Sequence, residues 1–161
     1  MGRRAEALAV RIEHGAADLA AFAEGLSEAE WSHTVSSTDR RTIGQIVNHV
    51  ALVYPIELDL ARAVAGGNAV TDVTWPVVAE LNANHAREHA QVTKAAALDA
   101  LRTNSRAAAQ AVRGFSDEEL DRSAPFSLSF GAPVTAQFVL EDHAVRHSWH
   151  HLFRIRAALG R

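Results

Sequence analysis

Apolar side chains recur every three or four residues through four long segments of the chain, and no segment shows the alternation of a convincing strand. In the first segment, from about Arg4 to Gly25, these residues are Leu8, Ile12, Leu19, Phe22 and Leu26. Amphipathic helices of this length bury their apolar faces against one another. The pattern therefore predicts an all-α fold, a four-helix bundle formed by residues 1–161 as a single domain.

Capping signals mark the other helices. Thr42 and Gln45 have the spacing of a capping box, which predicts the start of the second helix. Pro55 lies inside that helix and is expected to kink it. Residues 123–133 contain two prolines and one glycine and are expected to form an irregular crossover loop. The expected second, third and fourth helices run from Thr42 to Gly66-Gly67, from Trp75-Pro76 to about Arg113, and from about Val134 to Gly160.

Composition and charge exclude several classes of protein. The formal net charge is −3 and basic residues are scattered, so no nucleic-acid partner is expected. No apolar run approaches the roughly 18 residues of a membrane span. Glu6, Arg11 and Glu13 interrupt any apolar core of a signal peptide, so a cytoplasmic protein without a membrane partner is expected. There are no cysteines, so a metal ion would have to be bound by His, Asp or Glu.

Histidines are unusually frequent near the end of the chain: of nine in all, four lie between positions 143 and 151. Residues four apart lie on the same face of a helix. At about 100° per residue, His147 and His151 should face the bundle interior, with His143 and His150 nearer the rim. Burying two neutral imidazoles is costly unless their nitrogens find partners, which a shared metal ion would provide. The alternative is a polar helix edge that happens to use histidine.

Three further histidines lie on apolar helix faces. His49 is expected to point inward from the second helix, either as a hydrogen-bonded core residue or as a metal ligand. A histidine pair at the same height on another helix would favour the ligand. In the third helix, His85 and His89 share a face with Val78 and Leu81. Either could be a fourth ligand, a partner of a ligand, a catalytic base or a core histidine.

Two motifs resemble those of the DinB-like superfamily, which includes the YfiT-type proteins. They are QIVNHVALVYPIE in the second helix and HSWHHLFRI in the fourth, and the resemblance extends over nearly the whole chain. It implies an up-down-down-up bundle that binds a divalent metal ion, most often nickel or zinc and in some members iron or manganese. Carried over by position, the ligands are His49, His147 and His151, in agreement with the helix-face argument.

The implied topology also brings His85 to the height of these ligands. If helices two and three start where helix four ends, the four histidines lie within roughly 6 Å along the bundle axis. One departure from the superfamily follows the last ligand, where Leu152-Phe-Arg154 replaces a Gly-Gln pair. Arg154 could bind an anionic group of a substrate or be solvated at the rim, and the second interpretation is favoured.

Three imidazoles leave an open coordination position, which is typical of a catalytic metal site. The resemblance implies activities such as transfer of mycothiol or bacillithiol to electrophiles, mycothiol-dependent isomerisation of maleylpyruvate, and hydrolysis. Because the chain has no cysteine, a thiol would have to come from a cosubstrate. We therefore predict a metal-dependent thiol S-transferase acting on small electrophiles, with His85 or Glu57 assisting proton transfer.

Two other interpretations stay open at this point. One is a metal-binding or stress-response bundle without catalysis, and the other is a purely structural bundle without metal. The second of these would be favoured if His49 lay far from His147 and His151. The resemblance also implies a homodimer, and the alanine-rich second half of the third helix could pack against a partner. Alanine also simply favours helix, so the oligomeric state stays open.

Overall fold

Four long helical segments form the protein in a computed structural model, which describes residues 2–161. The predicted all-α four-helix bundle is confirmed. The π-helical turn Leu140–Val145 joins two helices into the continuous fourth segment Ala136–Ala158. The helices are α1 Arg3–Glu24, α2 Glu28–Trp31, α3 Ile43–Ala65, α4 Trp75–Glu88, α5 Lys94–Val112, α6 Asp117–Asp121, α7 Ala136–Val139 and α8 Arg146–Ala158.

Capping explains where α3 begins. The Thr42 hydroxyl accepts a hydrogen bond from the Gln45 backbone N–H at 3.1 Å, and the Gln45 side chain accepts one from the Thr42 N–H at 2.7 Å. This reciprocal pair satisfies two of the backbone donors that a helix start leaves free. The predicted capping box is thus present, and α3 continues through Pro55 to Ala65.

Ion pairs and hydrogen bonds between helices define the direction of three segments. Arg113, just after α5, binds Glu6 near the start of α1, with 2.8 Å between Arg113 Nε and Glu6 Oε2. These two helices are therefore antiparallel. Arg4 of α1 donates to Gln137 of α7 at 3.0 Å, so the first and last segments start at the same end of the bundle.

The fourth direction follows from contacts between α3 and α8. His49, early in α3, lies beside His151, late in α8, whereas Glu57 contacts the earlier His147. The two helices are antiparallel, so α3 and α5 both run opposite to α1 and α8. This is the expected up-down-down-up arrangement, in which the two middle helices are parallel and need a long connection between them.

The helix α4 provides that connection. Gln45 Nε2 donates to the Ala86 carbonyl oxygen at 2.6 Å, and Asn48 Nδ2 lies 3.1 Å from His85 Nε2. The end of α4 thus packs on the start of α3, and α4 runs back along it. No residue of α4 is fully buried. This helix therefore lies outside the four-helix core as the crossover between α3 and α5.

Two sequence predictions about this region are wrong. The expected single helix from Trp75 to Arg113 is interrupted at residues 89–93, where the Thr93 hydroxyl accepts from the Ala96 N–H and starts a new helix. Residues 123–133 are not the crossover and are not wholly irregular. Strand β1, Ser123–Pro125, pairs antiparallel with β2, Pro133–Thr135, and a 3₁₀ turn lies between them.

The core lies between α1, α3, α5 and the fourth segment. Its largest fully buried side chains are Tyr54, Phe126, Ile12, Leu19, Ile43, Ile46, Leu101, Leu120, Leu140, Leu152, Ile155 and Val47. Within residues 2–161, none of the helices has the length and apolar character needed to cross a membrane.

Candidate metal centre

His49 of α3 and His147 and His151 of α8 meet on the inner face of the bundle. One ring nitrogen from each lies within 4.8 Å of the others, and the Nε2 atoms of His49 and His147 are 3.1 Å apart. The rings of His147 and His151 are stacked, with centroids 4.8 Å apart, as the four-residue spacing on one helix requires. We call these three residues the histidine triad.

Burial keeps two members of the triad neutral. His49 is 5% exposed, and burial, reinforced by the neighbouring His147, lowers its pKa to about 2. Burial also lowers the pKa of His151 well below its ordinary value, again with His147 as the second cause. A neutral imidazole is the form that binds a metal ion, so these two side chains are ligand-ready at pH 7.

Glu57 orients the third member. Its Oε1 atom lies 2.5 Å from Nδ1 of His147, and its side chain is 6% exposed. Because a carboxylate accepts the hydrogen bond, Nδ1 of His147 carries the proton, and the lone pair of Nε2 points toward the triad. A carboxylate behind a metal-binding histidine is a recurrent arrangement that fixes the tautomer and raises the basicity of the ligand.

The donor set fits a divalent metal ion. A tetrahedral site with metal–nitrogen bonds of about 2.1 Å places its nitrogens about 3.4 Å apart. The triad nitrogens bracket that separation, at 3.1 Å for one pair and no more than 4.8 Å for any pair. The buried carboxylate of Glu57 offsets part of the charge that an ion would bring. The histidine triad could therefore hold a divalent metal ion.

A cavity of about 310 Å³ adjoins the triad. This volume is at the lower end of the range for small-molecule sites. One wall is apolar and is formed by Val53, Ile56, Leu60, Val73, Trp75, Val78, Leu81 and Leu128. The other lining residues are polar: Arg41, His49, Glu57, Asn82, Asp142, His143, Arg146, His147, His150, His151 and Arg154. We call this space the triad cavity.

Comparison with known proteins agrees with this architecture. A model of the DinB superfamily matches residues 11–153. The chain belongs to the DinB superfamily. Among solved structures, one similar chain is that of YfiT from Bacillus subtilis, described as a probable metal-dependent hydrolase with an unusual four-helix bundle topology. The match has a TM-score of 0.75 and 16% identity, and it covers 100% of this chain and 89% of YfiT. At this identity the likeness shows the fold alone. No curated protein gave a significant match.

In this DinB-superfamily chain, His85 lies close to the triad but outside the cavity lining. Its ring centroid is 5.6 Å from that of His49, and its Nε2 pairs with Asn48 at 3.1 Å. Burial, followed by His89, lowers the pKa of His85 to about 4. The predicted proximity of His85 to the triad is therefore present, but for another reason. We expected the helix that carries His85 to run parallel to α3, whereas α4 runs antiparallel to it. The proposed catalytic role of His85 stays a prediction.

Two expectations about the fourth helix need correction. His143 does not lie at the rim, because its side chain is 15% exposed and its ring is 5.7 Å from that of Phe126. The π-helical turn has more residues per turn than an α-helix and rotates His143 relative to α8. Arg154 is not freely solvated: its side chain is 28% exposed and lies 3.0 Å from Oδ2 of Asp39.

Sequence reasoning missed the loop that precedes α3. Arg41 binds Asp39 through two nitrogens, at 2.8 Å and 2.7 Å, and lines the triad cavity. The hydrogen bonds from Arg41 lower the pKa of Asp39 to about 2. No motif marked these residues, since both lie in a polar stretch and only the fold brings them to the triad. The resemblance pointed to Arg154 and not to Arg41.

Proposed function

We propose that the protein is a metal-dependent enzyme in which His49, His147 and His151 hold one divalent ion and the triad cavity binds a small electrophile. The observation that carries this proposal is the open arrangement of the site. Within residues 2–161 the ligand cluster has three members, and it borders a cavity instead of being closed by a fourth side chain. Such sites are typical of catalysis, whereas closed four-ligand sites are structural.

Nickel or zinc is the ion that we propose, and iron or manganese would also suit three imidazoles. A bound divalent ion lowers the pKa of a coordinated thiol or water and polarises an electrophile. The protein's own groups would supply the remaining requirements. His147 donates its Nδ1–H to Glu57, which leaves its Nε2 lone pair free for the ion that the triad would hold. The second carboxylate oxygen of Glu57 is buried and has no hydrogen-bond partner among the described residues.

That unpartnered oxygen suits Glu57 to take up a proton near the triad. A carboxylate oxygen that accepts no hydrogen bond keeps its lone pairs free for a proton. His85 is the other group that we propose for proton transfer. Its ring centroid lies 5.6 Å from that of His49, and its Nε2 pairs with Asn48. Proton transfer by Glu57 or by His85 is a further role beyond orienting a ligand, and it depends on the substrate lying in the triad cavity.

The nucleophile that we propose is a low-molecular-weight thiol of the mycothiol or bacillithiol type. The thiol sulfur forms a bond to the electrophilic carbon, the leaving group departs with its electron pair, and the thiol proton passes to Glu57 or to solvent. The absence of cysteine from the chain means that no internal thiol competes for the ion. The second candidate is hydrolysis with water as the nucleophile, which is favoured by the description of YfiT as a probable metal-dependent hydrolase.

Metal analysis followed by two assays tests the proposal. We expect about one equivalent of nickel or zinc in the wild type and in the exposed-residue control His14→Ala, and none in the double variant His49→Ala/His147→Ala. The metal-loaded protein is then assayed for conjugation of mycothiol or bacillithiol to chlorodinitrobenzene and for hydrolysis of nitrophenyl acetate. Loss of conjugation in the double variant supports the transferase, and metal-dependent hydrolysis alone supports the second candidate.

Two results would contradict the enzyme proposal. Metal binding without either activity would support a non-catalytic metal-binding protein. Absence of metal in every variant, even after incubation with zinc and nickel, would exclude the triad as a metal site and leave a structural bundle.

A further inference from the structure

The two ends of the triad cavity differ in chemistry. Because α3 and α8 are antiparallel, Arg41 and Arg154 lie together where α3 begins and α8 ends. From His49 the cavity continues along α3 past Val53 and Ile56 to Leu60. The eleven residue steps from His49 to Leu60 correspond to about 16 Å along the helix axis. The histidine triad is therefore flanked by a cationic end and an apolar end.

The cationic end has an unused hydrogen-bond donor. Arg41 offers Nε and Nη2 to Asp39, but its Nη1 is buried and has no partner among residues 2–161. Burying a charged donor without a partner costs more than leaving it in water. The guanidinium is fixed by Asp39 and its side chain is 18% exposed, so its position is set before any ligand arrives.

The charges at this end sum to one positive unit. Asp39 binds both Arg41 and Arg154, which leaves two guanidinium groups against one carboxylate. The third arginine of the cavity, Arg146, lies at the start of α8, toward the apolar end, where its pairing with Asp142 at 3.0 Å adds no net charge. A single negative charge matches this end better than a doubly charged phosphate.

The apolar end exposes large side chains. Ile56, Trp75 and Leu81 line the cavity and are 47%, 51% and 48% exposed. Apolar surface in a concave site favours a bound apolar group, because binding removes the apolar surfaces of both partners from water. The apolar end is formed largely by α3 and by the crossover helix α4, in which no residue is fully buried.

We infer that the triad cavity binds an amphipathic carboxylate, with its carboxylate at Arg41 and Arg154 and its apolar body against Ile56, Leu60 and Trp75. The middle of such a ligand lies beside the histidine triad. Calling this ligand a substrate rests on the proposed function, and the inference then names the substrate class. Binding of the carboxylate to the arginines does not itself require a metal ion.

Octanoate and its neutral analogue octanamide test the inference by calorimetry on the metal-free and the zinc-loaded protein. We expect wild type to prefer octanoate, and Arg41→Met to weaken octanoate at least about tenfold while changing octanamide little. The neighbouring Arg40 is exposed and outside the cavity lining, so Arg40→Met is the matched control and should bind both as wild type does. Trp75→Ala should weaken both ligands by similar factors.

Two further measurements keep the result unambiguous. Arg154→Met retains the Asp39–Arg41 pair and should also reduce the preference for octanoate. It therefore tests the inference even if thermal melting shows that Arg41→Met does not fold. The double variant His49→Ala/His147→Ala should still prefer octanoate, whereas loss of that preference would show a carboxylate bound to the metal and overturn the inference. Equal affinity of the wild type for octanoate and octanamide would also overturn it, whatever the metal analysis shows.

Discussion

Glu57 acts on the histidine triad through its hydrogen bond with His147. Its charge holds His147 in the tautomer that presents Nε2 to the triad. Glu57→Gln keeps an oxygen that can accept from Nδ1–H but removes the charge. Loss of such a partner typically lowers metal affinity 10- to 100-fold, and we expect a decrease in that range for zinc or nickel. Competition with a chromophoric chelator measures it.

Asp59 offers a matched control on the same helix. Its carboxylate is 74% exposed and pairs with Arg62, away from the triad, so Asp59→Asn should bind metal as wild type does. If Glu57→Gln kept the wild-type affinity, the carboxylate would not be orienting His147, and its buried position would need another explanation.

The triad could be predicted from the sequence because spacing and hydrophobic pattern determine which helix face a side chain occupies. His147 and His151 share a face by their four-residue separation, and His49 lies within an apolar stripe. Asp39 and Arg41 could not be found in this way. They lie in a loop, where no periodicity relates position in the sequence to direction in space, and their partner Arg154 is more than a hundred residues away.

Local signals in the sequence located the start of α3 but not the break between α4 and α5. The predicted continuous helix has no glycine or proline at residues 89–93 to mark an end. The break is required by topology, since parallel α3 and α5 need a return segment, and Thr93 supplies the cap for the new start. The π-helical turn was missed for a similar reason, because a helical pattern does not distinguish 3.6 from more residues per turn over six positions.

Substitution of Thr93 by alanine distinguishes a helix start from a helix interior, because the two cases predict opposite changes in the free energy of unfolding. If Thr93 caps α5, loss of its hydroxyl lowers the free energy of unfolding by about 1 kcal/mol. In an uninterrupted helix from Trp75 to Arg113, alanine would instead be stabilising by up to about 0.7 kcal/mol. Urea denaturation of the two proteins measures the difference. We expect the destabilising result.

Thr103 provides the internal reference for that experiment. It is exposed in the middle of α5 and lies in a regular helix in the structure. Thr103→Ala should therefore stabilise the protein slightly, in the opposite direction to Thr93→Ala. Two changes of the same sign and size would contradict the assignment of a separate α5.

A metal ion in the triad would link α3 to α8. These helices come from opposite halves of the chain, and the unfolded chain does not keep the three histidines together. An ion that binds only the folded protein stabilises it by about 2.7 kcal/mol at a free concentration of 100 times the dissociation constant. For a chain of this size, 1 kcal/mol shifts the melting temperature by about 2–4 °C.

We therefore expect zinc or nickel at that concentration to raise the melting temperature by roughly 5–10 °C, and a chelator to reverse the shift. Differential scanning calorimetry on metal-free protein, before and after addition, measures it. His151→Ala should abolish the shift because it removes a ligand from α8, whereas the exposed His14→Ala on α1 should retain it. An equal shift in the His151 variant would mean that the ion stabilises the bundle from another site, and the link between α3 and α8 would then not depend on the triad.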